Sequence, residues 1–240
     1  MMEIHKDIEI VDLFLHLKRF NSLVIGDVHI GYEEALNKQG ILIPRFQFKD
    51  TLKRFEKAVK GKKFDSIILL GDVKHEFGTI SETEWRNTLQ FIDTLSEYTK
   101  KIYLIKGNHD KVLEPIAEKR NLEVVDNVKL DDIFLLHGHI IPEENEDYKK
   151  AKIIIIGHEH PAISITDNLK TETYKCFIKG KFKGKILIVV PSFNLVTQGT
   201  DISKEDLLSP FLDQNLDNFE VFIVEDKIYN FGKIKNLRGK

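Results

Sequence analysis

Five short segments of this 240-residue chain end in residues that can bind a metal ion or move a proton. They are Asp27-Val28-His29, Gly71-Asp72-Val73-Lys74-His75, Gly107-Asn108-His109-Asp110, His137-Gly138-His139 and Gly157-His158-Glu159-His160. The chain has nine histidines, and seven of them fall in these segments, so they are concentrated rather than scattered. Carboxylate, imidazole and amide oxygen in combination suit Mn, Fe, Zn or Co better than an all-oxygen cage suits Ca. One carboxylate has two oxygens and can bridge two ions. Two ions about 3.5–4 Å apart can clamp a phosphate and generate hydroxide near neutral pH.

Taken singly, each residue has a plainer reading. Asp27 could cap a helix starting near Tyr32, and Asp72 could sit in a turn. Asn108 could be a turn residue after Gly107, and Asp110 the N-cap of a following helix. His137 and His139 alternate along a strand, so one of them could simply be buried or face solvent. His158 and His160 share one face of an extended segment. What unites the five segments is their common position after apolar runs.

Those runs are the elements that must position the chemistry. Leu23 to Ile25, Ser66 to Leu70, Lys101 to Ile105, Ile133 to Leu136 and Ile153 to Ile156 are short and β-branched, and Gly closes most of them. They read as buried strands. In open α/β sheets, sites gather at the carboxyl ends of strands, so five such ends can converge on one crevice. Helices fill the early gaps. From Phe48, the residues Leu52, Phe55 and Val59 recur at helical spacing, with Gly61 as a stop. A second helix opens at Ser81, with Glu84 completing a capping box, and carries the stripe Trp85, Leu89, Ile92 and Leu95. Alternating strand and helix implies parallel pairing with right-handed crossovers. After His160 the chain reads as strands at Ala162 to Ile165, Tyr174 to Lys179, Lys185 to Val190 and Phe219 to Val224. Asp201 to Asn218 reads as a short helix and loops, opened by Asp201 or Ser203.

Composition narrows the class. The formal net charge of -2 gives no global basic excess, so nucleic-acid binding would need a local patch. The single cysteine, Cys176, rules out an intrachain disulfide and fits a reducing compartment. No signal peptide and no run of about 20 apolar residues is present, so a soluble cytoplasmic protein with no membrane contact is expected. Many Lys, Glu and Ile residues with little Met, Cys or Trp suggest a thermophilic source. The length suits one sizeable domain.

The five blocks in this order resemble the calcineurin-like metallophosphoesterase superfamily, from about Leu23 to at least His160. Gly-Asp-x-x-His at Gly71 to His75 is similar to the SbcD-type nucleases. The size, Lys74-His75, Pro191-Ser192-Phe193-Asn194 and Gly199-Thr200-Asp201 resemble the small archaeal SbcD-related phosphoesterases and the bacterial PdeM-like proteins. The resemblance implies an α/β fold, a four-layer α/β/β/α sandwich with two mixed β-sheets, as a single domain over 1–240 without a separate capping domain. The residues alone leave a single doubly wound sheet open. By the same resemblance Asp27, His29 and His160 hold one divalent metal, Asn108, His137 and His158 hold a second, and Asp72 bridges them. The pair is expected to be Mn, with Fe, Zn, Co or Ni as alternatives. His109 matches the acid or transition-state stabiliser, Asp110 would orient it by a hydrogen bond, and His75 would contact the substrate phosphate. His139 has no counterpart and reads as structural.

The expected activity is hydrolysis of phosphodiester bonds, as a nuclease or phosphodiesterase on nucleic acid. The alternatives are a phosphatase or cyclic phosphodiesterase for small nucleotides, and a non-catalytic scaffold, which the full ligand set disfavours. A phosphoester is the expected partner, with single-stranded DNA or RNA as candidates and a homodimer left open. Lys170, Lys175, Lys179, Lys181, Lys183 and Lys185, interleaved with Tyr174, Phe177 and Phe182, could line a single strand by charge and stacking. The alternative is a solvated hairpin with lysines guarding an edge strand. Lys49, Lys53, Lys57 and Lys60 on the first helix read as a solvated face.

Overall fold

The computed structural model describes the chain except for residues 45, 77–80, 111–113, 121, 168–169, 205 and 238–240. One sheet is built from strands in sequence order: β1 (Met2–His5), β2 (Ile8–Val11), β3 (Phe14–Leu17), β4 (Ser22–Ile25), β5 (Ser66–Leu69), β6 (Ile102–Ile105) and β7 (Glu123–Val125). Pairing is antiparallel from β1 to β4 and parallel from β4 to β7. The second sheet holds β8 (Asn127–Leu130), β9 (Ile133–Leu136), β10 (Ile153–Ile156), β11 (Pro161–Asp167), β12 (Lys170–Phe182), β13 (Lys185–Val189), β14 (Thr200–Asp201), β15 (Glu220–Val224) and β16 (Ile228–Lys233). Within it β9, β10 and β13 are parallel, while the 13-residue β12 pairs antiparallel with β11, β13 and β15. Both sheets are therefore mixed.

The run Ile153-Ile154-Ile155-Ile156 shows why two sheets form and not one. Side chains alternate across a strand. Ile153 and Ile155 join the core between the sheets, with Leu23, Ile67 and Leu104, while Ile154 and Ile156 join a second core on the outer face. β9 divides likewise, with Ile133 and Leu135 facing inward and Phe134 and Leu136 outward. A strand apolar on both faces must be covered twice. On the first sheet the cover is α2 (Gln47–Val59), α3 (Glu82–Ser96) and α4 (Glu114–Arg120), and α1 (Tyr32–Lys38) lies beside the crevice. On the second it is thinner: Tyr148 of α5 (Glu146–Lys150) and the 3-10 turn at Pro210–Leu212. This is the expected α/β/β/α sandwich. Among the described residues no helix is long and apolar enough to cross a membrane.

The anticipated strands and the helices at 47–59 and 82–96 form, with β12 running from Lys170 to Phe182 where Tyr174 to Lys179 was expected. Three differences stand out. No strand is anticipated before Leu23, yet residues 2–17 form a three-stranded meander. Asp7 and Asp12 turn it with left-handed φ of 61° and 56°, which short polar side chains tolerate. The second is the helix expected within Asp201 to Asn218. The described residues there form β14, a turn in which Asp201 accepts from the Ser203 N–H at 3.0 Å, and the 3-10 turn. Asp201 caps a turn and not a helix because its other oxygen accepts from Ser164 N on β11. The third is the capping box, of which only half forms. Ser81 accepts from Glu84 N at 3.1 Å, but the Glu84 carboxylate turns away from Ser81 toward the loop after β5.

Candidate active site

The loops that follow β4, β5, β6 and β10 carry His29, Asp72, His75, Asn108, His109, His158 and His160 into one crevice, and Asp27 and His137, at the ends of β4 and β9, lie within ligand reach of them. The turns are tight. His29, Asp72, His158 and His160 all take left-handed φ, at 48°, 45°, 63° and 51°. Non-glycine residues in that region persist only where the surroundings impose it, and such residues cluster at functional sites. Two glycines permit the close approach. A Cβ at Gly107 would collide with the Asp72 carboxylate, and one at Gly157 with that of Asp27. The tail segments noted above brace the same loops. Phe193 N donates to Asp27 O at 2.7 Å, the Asn194 amide donates to Val28 O at 3.0 Å, and Thr200 N donates to His160 O at 3.0 Å.

Two groups could each hold an ion: Asp27 with His29 and His160, and Asp72 with His137 and His158. Asp72 stands between them, its Oδ2 lying 3.5 Å from His137 Nε2 and 3.7 Å from His29 Nε2. Asn108 Oδ1 lies 2.9 Å and His158 Nδ1 3.1 Å from His137 Nε2. A third group, His29 with His75 and His109, also lies within ligand reach. His139 belongs to none of these groups and packs its ring 5.2 Å from that of His137.

The donor chemistry fits cations. His137 Nδ1 lies 2.9 Å from the Leu70 carbonyl, which can only accept, so the proton sits on Nδ1 and the lone pair on Nε2. That lone pair then faces the Asn108 oxygen at 2.9 Å, two acceptors with no proton between them. Flipping the amide would answer this one contact. It would leave Asp27 Oδ1 and His160 Nε2, both buried, without a hydrogen-bond partner among the described residues. Burial lowers the pKa of His29 and His137, and brings that of His158 to about 4, so these rings are neutral ligands. Burial also raises the pKa of Asp72, with the charges of Asp27 and Asp110 adding to the rise. Asp27 moves the other way: burial opposes its ionisation, but His137, His160 and His29 outweigh that and hold it low. Two buried carboxylates ionise together only with positive charge between them, and a pair of divalent ions supplies it.

His75 and His109 stand on neighbouring loops with rings stacked at 5.4 Å. His109 Nδ1 donates to the His75 carbonyl, which turns Nε2 toward Asp72 Oδ2 at 3.9 Å. The expected contact from Asp110 to His109 is not the one formed. The Asp110 oxygens accept instead from Val73 N at 3.2 Å and Gly107 N at 3.1 Å. Asp110 thus ties the β5 loop to the β6 loop, because its carboxylate is buried among backbone N–H groups that would otherwise be unsatisfied.

Several residues given no site role from the sequence stand around the crevice. Lys74 is fully buried, and its ammonium donates to the carbonyls of Glu76 and His109, joining the two histidine loops. Glu84 Oε1 accepts from His75 N at 2.9 Å and Glu76 N at 3.0 Å. Tyr32 lies 4.4 Å from the His75 ring, and Thr197, Thr200 and Leu208 complete the cleft, whose volume is about 250 Å³. A lysine beside the motif and a glutamate three residues after a cap were the available signals, and both have commoner explanations.

The basic stretch from Lys170 to Lys185, for which a stacking platform and a solvated hairpin stood as alternatives, builds no such platform among the described residues. Phe177 and Phe182 are core residues. Lys179 pairs with Glu220, Lys183 with Glu143, and Lys185 donates to the carbonyls of Lys149 and Ala151. Phe177 faces the core between the sheets and Phe182 the outer core, so alternation puts the two rings on opposite faces of the sheet and no row of aromatics forms beside the lysines.

The family described as calcineurin-like phosphoesterase matches residues 20–168. Among solved structures, the nuclease MPE of Pseudomonas putida is similar at 17% identity and a TM-score of 0.65, over 92% of this chain and 93% of that one. Yfce, a phosphoesterase from E. coli, is 12% identical over 89% of this chain and 97% of its own, with a TM-score of 0.39. Vps29 of Entamoeba histolytica, complexed with zinc, is 19% identical over 91% and 94%, with a TM-score of 0.37. No curated protein matches the chain.

Proposed function

Because the chain belongs to the calcineurin-like phosphoesterase family, and is thereby a metal-dependent hydrolase of phosphate esters, we propose that it cleaves phosphodiester bonds in nucleic acid. In this reading Asp27, His29 and His160 hold one divalent ion, Asn108, His137 and His158 hold a second, and Asp72 lies between. Manganese is the first candidate, because mixed oxygen and imidazole donors without thiolate suit a borderline ion. The observation that carries the metal reading is the gathering of Asp27 with His29 and His160, and of Asp72 with His137 and His158, with buried Asp27 Oδ1 and His160 Nε2 left without a hydrogen-bond partner among the described residues.

When bound, such a pair of ions lowers the pKa of water and neutralises charge on phosphate oxygens. The chain's own residues do the rest. His75 meets the phosphate, and Tyr32 beside it limits how the ester can lie. His109 keeps one proton on Nδ1 against the His75 carbonyl, so only its protonated form can donate from Nε2 to the leaving oxygen. Burial lowers the His109 pKa, and an arriving phosphate anion opposes that shift.

The size of the cleft supports a polymeric substrate. About 250 Å³ lies just below the range of about 300–1,000 Å³ for pockets that enclose drug-sized ligands. A substrate here keeps most of its bulk outside the cleft, as one phosphate in a chain does. The shared fold with the Pseudomonas putida nuclease agrees with this. The test is a metal-supplemented assay comparing monoesters, small diesters, cyclic nucleotides, and single- and double-stranded DNA and RNA. Cleavage of oligonucleotides is expected. Turnover confined to monoesters or cyclic nucleotides would replace the nucleic-acid reading with a small-nucleotide one.

A further inference from the structure

A second and larger depression adjoins the cleft. Its volume is about 1040 Å³, and it lies between α2, β12, the segment around Leu195 to Gln198 and the turn between β15 and β16. Thr197 lines both this groove and the catalytic cleft, so the two are neighbours along one surface. The two basic stripes of the sequence meet here. Lys53, Arg54 and Lys57 come from one wall, and Lys175 comes from the other.

These cations are not equally neutralised. Arg54 is held by Asp12 at 2.9 and 2.8 Å. Lys53 forms one exposed ion pair among the described residues, with Asp50 at 3.5 Å, and such a surface pair is weak. Lys57 forms no ion pair among the described residues, and Lys175 donates to a neutral hydroxyl, Ser192 Oγ, at 2.7 Å. Ser192 is itself fully buried, so the Lys175 ammonium is tethered deep in the wall. Burial brings the Lys175 pKa down to about 7, with the Arg54 charge lowering it further, a cost that an anion in the groove would relieve. Four acidic residues line the groove too, and Asp12 among them is the partner of Arg54. Glu172 is engaged by Lys170 and Asp226 by Tyr229, while Glu225 adds negative charge.

We propose that this groove is a second phosphate-binding site, which takes backbone phosphates of a single-stranded polynucleotide next to the bond being cleaved. The proposal rests on the nucleic-acid reading above and adds to it a place and a direction. The strand leaves the cleft past Thr197 and runs along Lys57 and Lys175. It turns outward before Glu225 and Asp226, which repel phosphates. Gln198 and Thr173 offer hydrogen bonds beside the cations without reading a base. The binding is therefore sensitive to charge and indifferent to sequence.

The experiment charge-reverses the exposed wall with Lys53→Glu/Lys57→Glu, which touches no buried group. It compares kcat/KM for a single-stranded 20-residue oligonucleotide with that for a small aryl diester. Wild-type protein should favour the oligonucleotide, and the ratio of the two should fall at least about tenfold in the variant. The salt dependence of oligonucleotide KM should weaken by about 0.7 in log–log slope for each lost phosphate contact. An unchanged ratio overturns the groove. If wild-type protein hydrolyses the small diester and no oligonucleotide, the nucleic-acid reading fails instead. Fluorescence anisotropy with a labelled oligonucleotide then judges the groove separately. Weaker binding by the variant supports a phosphate site there, and equal or absent binding by both proteins removes it.

Discussion

Replacing Lys74 by methionine should cost both stability and rate, by amounts that follow from its contacts. The side chain is fully buried and its ammonium serves two carbonyls, those of Glu76 and His109, the latter at 2.6 Å. Methionine fills a similar volume but donates nothing, so two buried carbonyls lose their partner. At about 1–3 kcal/mol each the loss is roughly 2–6 kcal/mol, and relief from burying an ammonium pulls it toward the lower end. The consequence for rate is more specific. Lys74 ties down the backbone of His109, and His109 Nδ1 in turn holds the His75 carbonyl, so the lysine fixes where both rings stand. If His109 is the acid, displacing it should remove much of the roughly 10²–10⁴-fold that such a group contributes. The assay is turnover of diesters graded by leaving-group pKa, alongside metal content and a denaturant titration. The loss should be large for alkyl leaving groups and small for nitrophenolate. Lys74→Met combined with His109→Asn should be little worse than His109→Asn alone, since both act through one ring. Losses that multiply, or that are equal for every leaving group, would refute the reasoning and leave Lys74 as a purely structural residue.

Asp72→Ala should lose both ions and activity more completely than His160→Ala, because Asp72 approaches both histidine sets, at 3.5 and 3.7 Å. Metal analysis and turnover on protein shown folded by circular dichroism decide this, and near-normal turnover would remove the bridging role. His109→Asn should retain both metals and slow turnover by about 10²–10⁴-fold on poor leaving groups. Loss of an ion would show that the group His29, His75 and His109 binds metal. Lys175→Met should stabilise the protein near neutral pH and less so near about pH 10. Burial holds the folded lysine at about 7 against an ordinary 10.5, so between those values the unfolded chain binds more protons and the wild type gains stability as pH rises. Denaturation midpoints at both pH values measure it, and a difference independent of pH contradicts the assignment.

How much was legible in the sequence varies from element to element. The runs at β4, β5, β6, β9 and β10 were readable because each is apolar on both faces and ends at glycine or a polar turn. The helix cap at Ser81 was equally readable, since the Ser81 to Glu84 contact is local. The meander at residues 2–17 was not. Its four-residue strands alternate charged and apolar residues too briefly to show a period, and left-handed aspartates turn it where glycine would be expected. The residue types of the site were also legible, since seven histidines in five strand-end segments leave few other chemistries.

Which of those residues meet, and what braces them, was settled by tertiary structure. Asp110 spends its oxygens on Val73 and Gly107, and Glu84 leaves its own helix cap for the His75 loop. Lys74 faces inward although lysine is rarely fully buried. The split of the Ile153 to Ile156 run between two cores, and the meeting of α2 lysines with Lys175 of β12, depend on how the sheets face each other. A residue's type and its local period are properties of a few neighbours in the chain. The partner of a buried charge or carbonyl is whichever group long-range packing brings within about 3 Å, and packing sums contacts over the whole fold.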